Sequence, residues 1–250
     1  MNHFKEKLSQ QTCLGVFSKT TDSAFVEAAG IAGLDFIILD TEHGPANLET
    51  LHNHVRAAQL TQMASIIRVK GVDANAIGSA LDTGADGVQV PNISTAQQAE
   101  VAVKAARFYP QGSRGVCRFV RAANFGNRAK DAYFASANEK LVILQVEGLE
   151  GINNLDEILE VQGFDVLFIG PYDLSQSVGK PGQVDDPEVL ELMQIIAQKS
   201  QRKGILLGSF SDNLERNASL KTEGFNYIAY SVDVHIYSQA LSSILKGQGD

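Results

Sequence analysis

Along this chain, short and nearly unbroken apolar runs alternate with stretches in which apolar residues recur every three or four positions. The runs fall at 13–18, 35–40, 64–69, 87–91, 141–147, 165–170, 204–209 and 227–232. Phe36-Ile37-Ile38-Leu39, Leu141-Val142-Ile143-Leu144 and Val166-Leu167-Phe168-Ile169 show no apolar–polar alternation, which marks strands covered on both faces, as in a parallel sheet. Between them the helical period takes over. Residues 47–61 carry Leu48, Leu51, Val55 and Leu60; 95–108 are rich in Ala and Val; 187–203 place Val189, Leu190, Leu192, Met193 and Ile196 on one face. Asp22, Asn47 and Asp73 stand where N-caps belong, Pro187 suits a first helical turn, and Gly33, Gly84 and Gly224 suit helix ends.

Eight strands alternating with helices over 250 residues, with no internal linker, predict a single-domain (β/α)8 barrel spanning residues 1–250. A doubly wound open sheet is the competitor, but Lys19-Thr20-Thr21-Asp22 follows the first strand where a glycine-rich dinucleotide turn would be expected. The stretch 109–140 breaks the rhythm and predicts one or two short helices capping a site. Composition narrows the function. With 44% hydrophobic residues the chain can bury a substantial core, and a net charge of −8 offers no basic stripe for nucleic acid. No apolar run approaches the roughly 20 residues that span a bilayer, and the N-terminus lacks a secretory signal, so a cytoplasmic protein is expected. Cys13 and Cys117 show no metal spacing and read as two buried free thiols.

Barrel enzymes place their chemistry at the C-terminal ends of strands. Those positions hold Asp40-Thr41-Glu42-His43, Arg68, Gln145-Val146-Glu147 and Gly170-Pro171-Tyr172-Asp173. Buried carboxylates need a partner. Glu147 and Asp173, on adjacent staves, suit a hard divalent cation such as Mg²⁺ or Mn²⁺, with Zn²⁺ less suited. The same pair alone would also fit an acid/base dyad, and the whole set would also fit salt bridges at the barrel rim. His43, three residues after Asp40, would be oriented by that carboxylate for proton transfer. Arg68 would hold a substrate oxyanion or bridge to Asp40 or Glu42. Backbone N–H groups of the turn at Tyr172 and Asp173 would receive a carboxylate.

Four motifs occur in order: Leu39-Asp40-Thr41-Glu42-His43-Gly44-Pro45, Tyr109-Pro110 followed by Gly112 and Arg114-Gly115, Gln145-Val146-Glu147, and Phe168 to Ser175. Together they resemble the HpcH/HpaI aldolases, metal-dependent pyruvate aldolases of the phosphoenolpyruvate/pyruvate barrel superfamily. The resemblance implies reversible cleavage of a 4-hydroxy-2-oxo acid, a 2-oxo-3-deoxy sugar acid or a hydroxy-oxo diacid, into pyruvate and an aldehyde. It implies Glu147 and Asp173 as ligands of a divalent metal (Mg²⁺, Mn²⁺, Co²⁺ or Zn²⁺). His43 supported by Asp40 would move protons, Arg68 would stabilise the enolate, and Gln145, Tyr172 and Asp173 would line the pyruvate site. It also implies a homo-oligomer, a hexamer or trimer of dimers, with the last helix exchanged and Asp82 approaching the adjoining subunit's site.

The sequence departs from that pattern at Tyr172, where a small residue is frequent, and at Tyr230-Ser231, where Val-Gly is frequent. Arg118 and Arg121 would meet an acidic or hydroxylated aldehyde tail. No strand-end lysine stands out for Schiff-base chemistry, Lys70 being the nearest. The alternatives are a CoA-ester lyase of the citrate-lyase β type, a phosphate-binding barrel isomerase and a non-catalytic barrel that binds a 2-oxo acid.

Overall fold

Each apolar run becomes a strand: β1 (Cys13–Ser18), β2 (Phe36–Asp40), β3 (Ala64–Arg68), β4 (Gly87–Val90), β5 (Leu141–Val146), β6 (Val166–Ile169), β7 (Leu206–Ser211) and β8 (Tyr227–Val232). In the computed structural model, which describes residues 3–247, these strands pair in chain order and close as a parallel barrel, β8 against β1. The expected barrel is present. The seventh strand begins at Leu206 rather than Gly204 because Gly204 sits at φ +70, a turn conformation.

The helices wrap this barrel in the order α1 (His3–Gln10), α2 (Ser23–Ile31), α3 (Leu48–Leu60), α4 (Ala74–Asp82), α5 (Ala96–Ala106), α6 (Lys130–Ala137), α7 (Leu149–Asn153), α8 (Leu155–Glu160), α9 (Pro171–Ser177), α10 (Pro187–Arg202), α11 (Leu214–Thr222) and α12 (Asp233–Lys246). Asp22, Asn47 and Asp73 accept hydrogen bonds from the first turns of α2, α3 and α4, as caps do. Gly33, Gly84 and Gly224 end α2, α4 and α11 at φ near +90.

Aromatic rings fill the barrel's lower half. Phe36 stacks on Tyr227 with centroids 3.9 Å apart, and Gly15 makes that possible, since a Cβ there would lie 2.4 Å from the Phe36 ring. Helix α1 closes the N-terminal end by burying Phe4 and Leu8 against this cluster. A register shift between β1 and β8, where Gly15–Phe17 faces Ala229–Val232, is a bulge in β8, and Ser231 within it sits at φ +56.

The 109–140 stretch corrects an expectation. It forms a short 3-10 turn (Arg121–Gly126) and α6, but these do not cap the strands' C-terminal ends. Arg121 donates to the Thr83 carbonyl at the end of α4, and Arg107 donates to Lys140, just before β5. The segment therefore packs on the N-terminal rim, held by Arg121 on the carbonyl at the end of α4 and by Arg107 on the carbonyl just before β5. Cys117 is exposed rather than buried, while Cys13 is buried; both are free. Helix α12 buries none of its residues.

Candidate active site at the barrel mouth

Asp40, Arg68 and Gln89 stand in register on β2, β3 and β4, so strand pairing alone puts a charge pair and an amide on one level. Arg68 Nε and Nη2 donate to the two Asp40 oxygens at 2.9 and 2.8 Å, a forked pair. Nη1 lies 3.1 Å from Glu42, and the guanidinium sits 4.6 Å over the Phe17 ring. Burial pushes the Asp40 carboxyl up, but the Arg68 hydrogen bonds and charge outweigh it and hold the group below its ordinary range. The Arg68 guanidinium, pulled down by burial, is raised on balance by Asp40, Glu42 and Glu147. This pair stays ionised across the working range. One N–H on each terminal nitrogen remains for a substrate oxygen.

The Asp40–His43 relation differs from the expectation. Asp40 accepts the backbone N–H groups of Glu42 (3.0 Å) and His43 (3.3 Å), but not the imidazole, because Arg68 already occupies both of its oxygens. The exposed His43 ring instead has Glu42 nearest, with Nε2 3.9 Å from Oε2. Asp40 therefore positions His43 through the main chain.

Glu147 follows β5 directly and is buried. One oxygen accepts the Asn92 N–H at 2.8 Å, the other the Gln145 amide, whose own oxygen accepts from Gln89. The order of amides along this chain follows from Glu147: an ionised carboxylate only accepts, so each glutamine must donate toward it. Gly170, at the end of β6, makes room, since a Cβ there would lie 2.7 Å from Glu147 Oε2. Burial raises the Glu147 carboxyl to about 7; the bonds from Gln145 and Asn92 oppose this, and the charges of Asp173 and Glu42 add to it. Burial also raises Glu42. Asp173, in the first turn of α9, is the exposed member of the set.

A cavity of about 310 Å³ opens beside these residues and is bounded by Phe17, Phe168, Phe210 and Val232 on its apolar side. His43, Arg68, Gln145, Tyr172 and Asp173 all face it. Pro171 opens α9 and has no N–H, so the amides of Tyr172 and Asp173 are the first free donors there. The Tyr172 hydroxyl hydrogen-bonds Asp212, which together with burial pushes its pKa up to about 12.

Three further residues lie away from this mouth, Asp82 among them as its expected approach to an adjoining subunit's site requires. Asp82 ends α4 on the opposite rim and pairs with Arg114. Arg118 donates to the Gly126 and Arg128 carbonyls and Arg121 to Thr83 and Gln59, so neither reaches an aldehyde tail in its own barrel. Lys19 and Asn92 were not anticipated as site residues. Lys19 follows β1, lines the cavity and lies 3.7 Å from Asp40, so a strand-end lysine does exist. Asn92, at φ +59, links Glu147 through its N–H and Glu42 through its amide. The signal for Asn92 was its residue type just after a strand, since asparagine tolerates the left-handed region.

Asp40, Glu42, Glu147 and Asp173 set four carboxylates against Arg68 and Lys19, which leaves two negative charges, the complement of one dication. Glu147 and Asp173 fit such an ion because, among the described residues, neither has a cationic partner of its own. Among the described residues no three His, Cys, Asp or Glu side chains form a metal cage, so an ion held by two carboxylates would keep coordination sites for water and substrate.

A parallel barrel whose mouth gathers a buried ion pair, a carboxylate pair and an exposed imidazole has the form of a barrel enzyme's active site. The chain belongs to the HpcH/HpaI aldolase/citrate lyase family, whose model matches residues 13–240. It is 36% identical over 247 residues to 2-keto-3-deoxy-L-rhamnonate aldolase of Salmonella gallinarum, covering 98% of this chain and 92% of that one. Its fold superposes with a TM-score of 0.95 on an HpcH/HpaI aldolase/citrate lyase family protein from Burkholderia cenocepacia, 29% identical over all of both chains. The citrate synthase SbnG is also similar, with a TM-score of 0.88 and 31% identity, covering 99% of this chain and 96% of that one.

Proposed function

We propose that the protein is a divalent-metal-dependent aldolase, a carbon–carbon lyase that reversibly cleaves a 2-keto-3-deoxy sugar acid into pyruvate and an aldehyde. The observation that carries this reading is Glu147: a buried carboxylate with amide donors but no cation of its own. Glu147 and Asp173 would hold the metal, Mg²⁺ or Mn²⁺ on oxygen-ligand chemistry. When bound, it would supply the Lewis acidity that polarises the 2-oxo group.

The remaining steps fall to the chain's own side chains. The amides of Tyr172 and Asp173 receive the substrate carboxylate, and Gln145 fixes Glu147. His43 takes the proton of the 4-hydroxyl. As the C3–C4 bond breaks, its electron pair moves to the C2 oxygen, where the free Arg68 N–H groups stabilise the enolate. The proton that His43 took is returned to C3 and completes pyruvate, and the aromatic residues Phe17, Phe168 and Phe210 wall one side of that carbanion-like carbon. The similarity to the rhamnonate aldolase supports a sugar-acid substrate. The exposed apolar residues of α12 support a homo-oligomer in which a neighbouring copy covers that helix, and in such an assembly Asp82, with its partner Arg114, would approach a neighbour's site.

The test is coupled pyruvate release across a panel of 2-keto-3-deoxy sugar acids. EDTA abolishes it, Mg²⁺ or Mn²⁺ restores it, and Glu147→Ala and Asp173→Ala each lose at least about 10²-fold in kcat/KM. Full activity after exhaustive chelation overturns the proposal.

A further inference from the structure

Lys19 is a cation at the barrel mouth to which the proposed reaction gives no part. It stands two residues after Phe17, on the same face of the chain, and both side chains line the cavity. The main chain fixes its place: Asp233, at the start of α12, accepts the Lys19 N–H at 3.0 Å and the Ser18 hydroxyl at 2.7 Å.

The ammonium itself is unengaged. Asp40 lies 3.7 Å away, beyond hydrogen-bond reach, and both Asp40 oxygens already accept from Arg68. Glu42 pairs with Arg68 as well. Among the described residues the three N–H donors of Lys19 are therefore open, although its side chain is only 31% exposed. A half-buried ammonium gives up hydration that open donors do not restore, so its place beside an apolar-walled cavity calls for an oxygen ligand. The reaction geometry identifies the part of the substrate that carries this oxygen. The amides of Tyr172 and Asp173 receive the C1 carboxylate and Arg68 the C2 oxygen. The fragment beyond C4 then meets the lining that remains, Phe17, Lys19, Phe210 and Val232. Three of these are apolar, and Lys19 alone of the four can bond an oxygen through its side chain. Asp173, the carboxylate among the lining residues, is engaged as a metal ligand and does not oppose an anion there.

We propose that Lys19 selects the aldehyde fragment by charge, so that the preferred substrate is a 2-keto-3-deoxy sugar diacid with its second carboxylate at the far end. An ammonium is a point charge without a fixed fork, which suits the end of a flexible tail. The inference rests on the aldolase reading and names the substrate class within it.

The test runs in the synthesis direction on the Mg²⁺-loaded enzyme with saturating pyruvate. Succinic semialdehyde and butyraldehyde are the acceptors, aldehydes of equal chain length that differ in the terminal carboxylate. Lys19→Met lowers kcat/KM for succinic semialdehyde about tenfold or more, through KM, and leaves butyraldehyde within about twofold. Lys19→Arg keeps the preference. Calorimetry reads the same selection without turnover: 2-oxoadipate binds the wild type more tightly than 2-oxohexanoate, and Lys19→Met removes the difference. A Lys19 that only partners Asp40 would weaken both members of a pair alike. An equal fall in either pair, an unchanged ratio, or a wild type without preference for the diacid overturns the inference. Metal-dependent exchange of the pyruvate methyl protons in deuterium oxide needs no aldehyde and checks the underlying reading separately. With exchange present and no charge preference, the Lys19 inference alone fails; with exchange absent, both fail.

Discussion

Burial raises the Glu147 carboxyl from 4.5 to about 7, so above neutral pH the metal-free protein holds a carboxylate that unfolding would return to water. The sign follows from proton binding. Between pH 4.5 and 7 the folded state keeps a proton the unfolded chain has lost, so stability falls as pH rises through that window. The full cost, on the order of 3 kcal/mol, is present above it. Glu147→Gln removes the charge while keeping an acceptor for Asn92 or Gln145. At pH 8 it therefore raises the melting temperature of the metal-free protein by about 6–12 °C, and at pH 4.5 it changes little. The variant also loses the stabilisation that Mn²⁺ gives the wild type. Equal melting curves at both pH values would show that no buried charge is relieved. Gly170 tests the same place by shape. Its φ is ordinary, −87, so Gly170→Ala strains no backbone, but the new methyl would meet Glu147. Displacing that carboxylate lowers metal affinity about tenfold or more, with little change in far-ultraviolet dichroism. Unaltered metal affinity would mean that Glu147 has room to move.

At the scale of elements, the β8 bulge carries a local conflict. Ser231 is buried in the left-handed region at φ +56, where a Cβ costs about 1 kcal/mol. Glycine there removes that strain and costs some unfolded-state entropy. Ser231→Gly therefore raises the melting temperature by about 1–3 °C, read by calorimetry, and a lower value would show that the serine makes a contact worth more than the strain. The departure was visible in the sequence as Tyr230-Ser231, whereas the reason for it was not: a bulge is a property of pairing with β1, which no single strand encodes. The same division runs through the fold. Strands β2, β5 and β6 were legible because both faces are apolar, and α2, α3 and α4 because their caps are side-chain chemistry read locally. The 109–140 stretch was legible as one or two short helices, but its docking on the N-terminal rim depends on arginine-to-carbonyl bonds with partners as far off as Thr83 and Gln59. The site divided likewise. Glu147, Arg68 and Asp173 were read from strand ends, while the main-chain route from Asp40 to His43 and the place of Lys19 needed three dimensions.

For the whole molecule, α12 is the element that the barrel leaves unfinished. Its N-terminus is tied down, since Asp233 accepts from the Ser18 hydroxyl and the Lys19 N–H, and Tyr237 meets Phe25 edge-on at 5.8 Å. Beyond that, Val234, Tyr237, Leu241, Ile244 and Leu245 are all exposed. Their spacing of three, four and three residues from Val234 to Ile244 places them along one side of the helix. A contiguous apolar stripe of this kind marks an association surface, and a chain with a net charge of −8 resists non-specific association through its charge. The stripe would suit a particular packing, which in the proposed homo-oligomer is another copy of the same chain. Leu241→Asp combined with Ile244→Asp places two carboxylates in that stripe without touching a buried residue of the barrel. Light scattering coupled to size exclusion should show the mass falling toward a single 26.9 kDa chain, while far-ultraviolet dichroism and pyruvate-site metal binding persist. If the mass is unchanged, α12 is not a contact between copies of the chain.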